Sequence, residues 1–269
     1  MTVEPSTGVE PAEAPMFPLG SVLFPHMPVA LRVFEQRYLA MLAVILQDEP
    51  SEFGIVLIER GQEVGGGEQR FSVGTIAEIT ELDGAEDFVA LVTQGTTRFE
   101  ITEWLEDDPY PRAMIRPLPE LVWDEELRTL RQRAEEVVRR VLALASEFVD
   151  QQWSAAVKLS DDEVAACWQL AAIAPLGTFD QVALLRSATL RELLDAVIET
   201  TLAAEQMFLA SWLENAPNDY PEDDPLGYPG SDLYGDRNGD TDSEPDGETD
   251  GEPDGEPDSD PSSEPDRPS

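Results

Sequence analysis

From Met16 onward, apolar side chains recur at every second position: Phe17 and Leu19, Val22 and Phe24, then Val29, Leu31 and Val33 beyond a corner that carries Pro25 and Pro28. Successive strand residues point to opposite faces, so this spacing predicts half-buried strands, the first two meeting at Leu19-Gly20. At Phe34 the period lengthens. Tyr38, Leu39, Leu42, Ile45 and Leu46 fall at helical spacing, and Pro50 ends the helix they predict. Phe34 and Tyr38, four apart, are expected to share its buried face.

Residues 55–58 form an unbroken apolar run, as in a strand buried on both faces or closing a barrel. Gly65, Gly66 and Gly67 then predict a loop. Residues 71–80 alternate with Phe71, Val73, Ala77 and Ile79 on one face, and Asp83-Gly84 reads as a turn. Residues 88–104 predict two antiparallel strands about Gln94-Gly95, and 113–116 a last strand. Six or seven short strands with one inserted helix favour a small closed or partly closed β-barrel, which removes exposed edges.

Beyond Pro117 and Pro119 the pattern is helical. Leu127, Leu130, Ala134, Val137, Val138, Val141, Leu142 and Phe148 form one stripe at three-to-four spacing. Three capping boxes predict later helix starts: Ser160 with Glu163, Thr178 with Gln181, and Thr189 with Glu192. Pro175 and Gly177 separate two of these helices. The last is expected to bury Leu190, Leu193, Leu194, Val197, Ile198, Leu202, Phe208 and Trp212. The fold class is therefore α+β, in four stretches: a disordered leader (1–15), the β domain (16–119), an all-α subdomain (120–215) and a disordered acidic tail (216–269).

Charge narrows the function. The chain carries a net charge of −39, of which −17 falls in 216–269 and −22 in 1–215, so both parts are acidic. Nucleic-acid binding runs on clustered Lys and Arg, and so does attraction to anionic membranes. Neither is expected as a partner. Without a basic, apolar leader or a spanning apolar run, a cytoplasmic location is expected.

Catalytic groups are scarce. His26 is the only histidine and Cys167 the only cysteine, so a metal site of these ligands is not available within one chain. His26, between Pro25 and Met27, reads as a loop residue at a strand crossover, and Cys167 as a small buried hydrophobe. The glycine triplet is no phosphate cradle, because no Lys-Ser/Thr follows it. Glu35 and Arg37, flanking the first helix, are expected to pin helix to sheet; their functional reading is a polar rim for a peptide.

The block FPLGSVLFPHMPVALRVFEQRYLAML resembles the opening of the amino-terminal, substrate-binding domain of Lon-type ATP-dependent proteases. FGIVLIERGQEVGGG, FSVGTIAEIT and TTRFEITEWLEDDPYPRAMI continue the resemblance in the same order, to roughly Asn215. It looks closest to stand-alone bacterial proteins carrying this domain without the protease, since no ATP-binding G-x-x-x-x-G-K-[ST] and no serine–lysine peptidase module is present. The resemblance implies a PUA-like barrel followed by a helical bundle, and recognition of substrate polypeptides.

The resulting expectation is a non-enzymatic polypeptide-binding module with no cofactor, partnered by unfolded segments and by an AAA-type protease. Pro25, His26, Met27, Glu35, Arg37, Gly65, Gly66 and Gly67 are its candidate contacts. The alternatives are a small-molecule binder or hydrolase at the barrel mouth, and an accessory scaffold docking to a separate protease.

Overall fold

A computed structural model describes residues 10–47, 49–60, 69–84 and 87–215. These residues lie in a compact unit, Met1–Pro217; a second unit, Asn218–Ser269, contains none of them. The strands are β1 (Ala12–Leu19), β2 (Pro28–Val33), β3 (Glu52–Arg60), β4 (Gln69–Gly84), β5 (Val89–Trp104) and β6 (Arg112–Pro117). Helix α1 (Gln36–Ile45) is inserted after β2, and α2 (Arg128–Ala145), α3 (Glu163–Ile173), α4 (Thr178–Leu185) and α5 (Leu190–Asn215) follow the sheet.

The strand order is β2-β5-β4-β3-β1-β6, and β6 also pairs with β5. The pairings of β1, β3, β4, β5 and β6 therefore close a ring, and β2 hangs on β5 outside it. Each of the five ring strands contributes to one apolar cluster, with Met16, Val56, Ile76, Phe99 and Ile115 among its members. Gly54 belongs there because a Cβ would run into Met16 and Phe99. The opposite face of β3 carries Phe53, Ile55 and Leu57 into a second, larger cluster shared with the helices. Burial on both faces is what the apolar run at 55–58 predicts. In that larger cluster Tyr38 of α1 stacks on Phe17 of β1, ring centroids 4.1 Å apart.

Order begins earlier than the period-two pattern implies. Ala12 to Pro15 pair antiparallel with β6, and Ala14 is buried, so backbone pairing rather than side-chain hydrophobicity extends β1 backwards. Val22 and Phe24 form no strand. Leu23 and Phe24 are buried in an irregular segment held by side chains, with Thr75 Oγ1 donating to the Leu23 carbonyl at 2.6 Å.

Residues 88–104 are not a hairpin. β5 runs unbroken through Gln94-Gly95, and a shift in its register with β4 falls between Thr75 and Ala77. Gly95 marks close backbone approach, since an added Cβ would strike the Phe24 carbonyl. Asp83 and Gly84 are paired strand residues, so the β4–β5 connection lies beyond them. Phe34 lies ahead of α1 and is 54% exposed, whereas Tyr38 is buried.

Only one of the three capping boxes forms. At α5 the Glu192 amide donates to Thr189 Oγ1 (3.1 Å), and the Glu192 carboxylate accepts from the Ala188 amide (2.8 Å). α3 is capped by Asp162, which accepts from the Ala165 amide, and Ser160 serves the Asp162 amide instead. α4 is entered through Gly177, leaving Thr178 inside the helix with no capping bond. Phe148 falls beyond the end of α2 and is 41% exposed.

Candidate functional site

The corner at residues 24–27 is a tight turn, closed by the Met27 amide donating to the Phe24 carbonyl (3.3 Å). His26 sits at φ +60, the left-handed region a type II turn requires at its third position, with proline before it. β5 holds the corner from beneath. The His26 amide donates to the Gly95 carbonyl (2.8 Å), and the Gly95 amide to the Met27 carbonyl (2.9 Å). Pro25 and Met27 are buried and the His26 side chain is exposed.

Pro25 and His26 form one wall of a cleft of ≈ 410 Å³ between sheet and helices, which Arg98, Leu118, Asp162 and Trp168 also line. Arg98 is 5% exposed. Its guanidinium donates to the carbonyls of Leu185 (2.6 Å), Ser187 (2.8 Å) and Pro119 (2.7 Å), and lies 4.9 Å from the Trp168 ring centroid. Burial pulls its pKa down from the usual guanidinium range. The bonds to three carbonyls tie β5 to the α4–α5 connection and to the segment after β6. Arg98 is thus committed to joining sheet and helices.

Glu35 and Arg37 stand at a second place. Arg37 Nε donates to Glu35 Oε2 at 3.1 Å, and its guanidinium covers Tyr38 at 4.5 Å, so the pair fixes the start of α1. Glu35 also borders a small hollow of ≈ 160 Å³ beside β2, floored by Phe17, Leu19 and Tyr38 and rimmed by Phe34.

The predicted contacts therefore divide. Pro25 and His26 share the cleft, Met27 turns into the core, and Glu35 lies by the β2 hollow. Gly65, Gly66 and Gly67 lie outside the described residues. Sequence reasoning missed Arg98, Trp168 and the exposed Phe34. Arg98 falls with Glu100 on the polar phase of the alternation that places Phe99 and Ile101 inside, so no local signal marks it.

The Cys167 thiol is buried and pushed up to about 12, mainly by burial, so it stays protonated and is no nucleophile at neutral pH. Among the described residues no group of three or more His, Cys, Asp or Glu is placed to hold a metal, and no helix is long and apolar enough to cross a membrane.

Residues 13–201 match the family model of the ATP-dependent protease La (LON) substrate-binding domain. The Lon protease of Anaeromyxobacter dehalogenans is 32% identical over 143 residues, covering 51% of this chain and 17% of the relative. Lon protease 2 of Myxococcus xanthus is 30% identical over 143 residues, again 51% and 17%. The chain thus spans about a sixth of the length of these curated relatives. Among solved structures, the N-terminal domain of the Mycobacterium avium complex Lon protease shares the fold, with TM-score 0.51 and 18% identity over 71% of this chain and 98% of that one. A Lon N-terminal domain protein from Xanthomonas campestris gives TM-score 0.48 and 25% identity at the same coverages.

Proposed function

The chain belongs to the family of Lon substrate-binding domains, and from that premise we propose that it is a non-enzymatic module that recognises polypeptide segments and presents them to an AAA-type protease in the cytoplasm. The closed ring of strands is read as the PUA-like barrel of that family, and α2 to α5 as its helical bundle. One observation carries the reading. Arg98 is spent on backbone carbonyls, Arg37 on Glu35, and Cys167 lies in the core, which leaves His26 as the titratable side chain of this set exposed at the cleft wall. What the described surface offers instead is apolar and backbone contact. Phe34, directly after β2, is 54% exposed, Leu82 on β4 is 47% exposed, and a cleft lies between sheet and helices.

The direct test is fluorescence anisotropy of the full chain titrated against a labelled, reduced and permanently unfolded polypeptide, with the same polypeptide folded as control. Micromolar binding of the unfolded form alone is the expected result. Equal failure of both forms at 100 µM, a concentration of about −5.5 kcal/mol in affinity, would end the proposal. Transfer to a protease is tested by adding a purified AAA-type protease lacking this domain and following degradation of the bound polypeptide.

A further inference from the structure

We propose that the outer edge of β2 is the docking line for the polypeptide, and that it takes an extended segment with apolar residues at alternate positions and basic residues between them. This rests on the polypeptide-binding reading above and names the surface and the chemistry of its ligand. β2 ends the strand order, pairing with β5 on one side and with no described strand on the other.

The register fixes which backbone groups are free. Pro28↔Gln94 through Val33↔Val89 form one antiparallel ladder, and the Gly95 amide to Met27 carbonyl bond extends it in phase. Alternate residues exchange bonds in such a ladder, so Val29, Leu31 and Val33 turn their amides and carbonyls toward β5. Ala30 and Arg32 turn theirs outward. Both residues are exposed. Pro28 has no N–H to offer and Arg32 is charged, two devices that discourage indiscriminate edge pairing. They leave a short backbone window centred on Ala30.

Side-chain space flanks that window on both faces. Toward the core, the ≈ 160 Å³ hollow floored by Phe17, Leu19 and Tyr38 opens beside Leu31 and Val33, with Phe34 as its rim. An apolar side chain of an added strand fits there. On the opposite face, Ala30, Val92 and Glu81 form one row and Arg32, Ala90 and Asp83 the next. The small alanines leave a hollow of ≈ 330 Å³ bordered by Glu81 and Asp83. Arg32 is drawn aside over the Phe88 ring at 5.3 Å. Strand addition takes its affinity from main-chain bonds and its specificity from such alternate pockets.

Charge selects the occupant. A second copy of this chain would bring a net charge of −39 against another −39, which opposes pairing of two β2 edges. A cationic, alternating segment is attracted by the same field.

The test is titration of the full chain with an eight-residue peptide alternating leucine and arginine, followed by isothermal calorimetry at physiological salt. Three comparison peptides are used: one alternating leucine and glutamate, and two N-methylated at either set of alternate amides. Methylating the set that faces β2 is expected to weaken binding more than about tenfold, and methylating the other set to change it little, because charge and composition are the same in both. The glutamate peptide is expected to bind more than about tenfold more weakly as well. In the protein, Ala30→Pro removes the outward amide without breaking a bond to β5 and is expected to reproduce the loss, with retention of the fold checked by thermal denaturation.

Equal effects of the two methylation patterns, or a preference for the glutamate peptide, overturn the edge. If the unfolded polypeptide still binds in that case, the module reading survives and only this surface is wrong. If neither peptide nor unfolded polypeptide binds, both fail. A protein that dimerises through β2, detected by sedimentation and abolished by Ala30→Pro, overturns the proposed occupant.

Discussion

The Arg98 guanidinium lies 4.9 Å from the centre of the Trp168 ring while its nitrogens bond the carbonyls of Leu185, Ser187 and Pro119. One side chain thus joins β5, the helical region and the link between them. A buried guanidinium is stable there because its donors and its face are both engaged, as an isolated buried charge is not.

Arg98→Met keeps the aliphatic stem and removes the donors, leaving carbonyls unpaired. We expect a loss of about 3–5 kcal/mol, read as a lower urea midpoint with an unchanged slope. Arg98→Lys is expected to recover only part of it, since a single ammonium cannot span the same carbonyls in a plane. Near-wild-type stability of Arg98→Met would mean that packing on Trp168 alone holds the two parts together.

Gly95 carries a second prediction. A Cβ there would meet the backbone carbonyl of Phe24 and the Leu23 side chain, and a carbonyl inside a turn cannot swing away. Gly95→Ala is expected to cost at least about 2 kcal/mol by equilibrium denaturation. A neutral result would show that the 24–27 turn can lift off β5.

Gly95 also shows where the sequence is readable and where it is not. The alternation about it is visible, and so is the glycine, but turn and close approach leave the same local mark. Only the partner, Phe24, separates them, and it lies far back in the chain. The apolar run at 55–58 is read correctly because burial on both faces writes itself into consecutive residues. Ala12 to Pro15 are the opposite case: they are ordered through backbone bonds to β6, which no side chain announces. Phe34 misleads because its four-residue spacing from Tyr38 suggests a shared helix face, while the helix begins after it. The surroundings of the candidate contacts are the least legible. Pro25 and Glu35 are adjacent to hollows made by distant elements, and local sequence carries no information on what stands opposite.

The capping residues test the same point energetically. Thr189→Ala removes the side-chain bond at the start of α5 and Asp162→Ala the one at α3, so each is expected to cost about 1 kcal/mol. Thr178→Ala, inside α4, is expected to stay within about 0.5 kcal/mol of wild type. Thermal denaturation of the three variants should therefore separate them, although the sequence pattern around Thr178 and Thr189 is the same.

Glu52 and Glu78 face one another in the β3–β4 register. Partial desolvation of this surface carboxylate, and after it the neighbouring Glu78, raises the Glu52 pKa above the ordinary carboxylate range. The folded state then holds a proton at Glu52 that the unfolded state has already lost. Stability is therefore favoured below the ordinary carboxylate range and falls as pH rises through the raised value. Glu52→Gln removes that slope. Its melting temperature should match wild type near pH 4 and exceed it at pH 7. Glu78→Gln should give a smaller gain, because it removes the lesser cause and leaves the partial desolvation of Glu52 in place. A gain from Glu78→Gln equal to that from Glu52→Gln would make repulsion between the two carboxylates, rather than desolvation of one, the source of the effect.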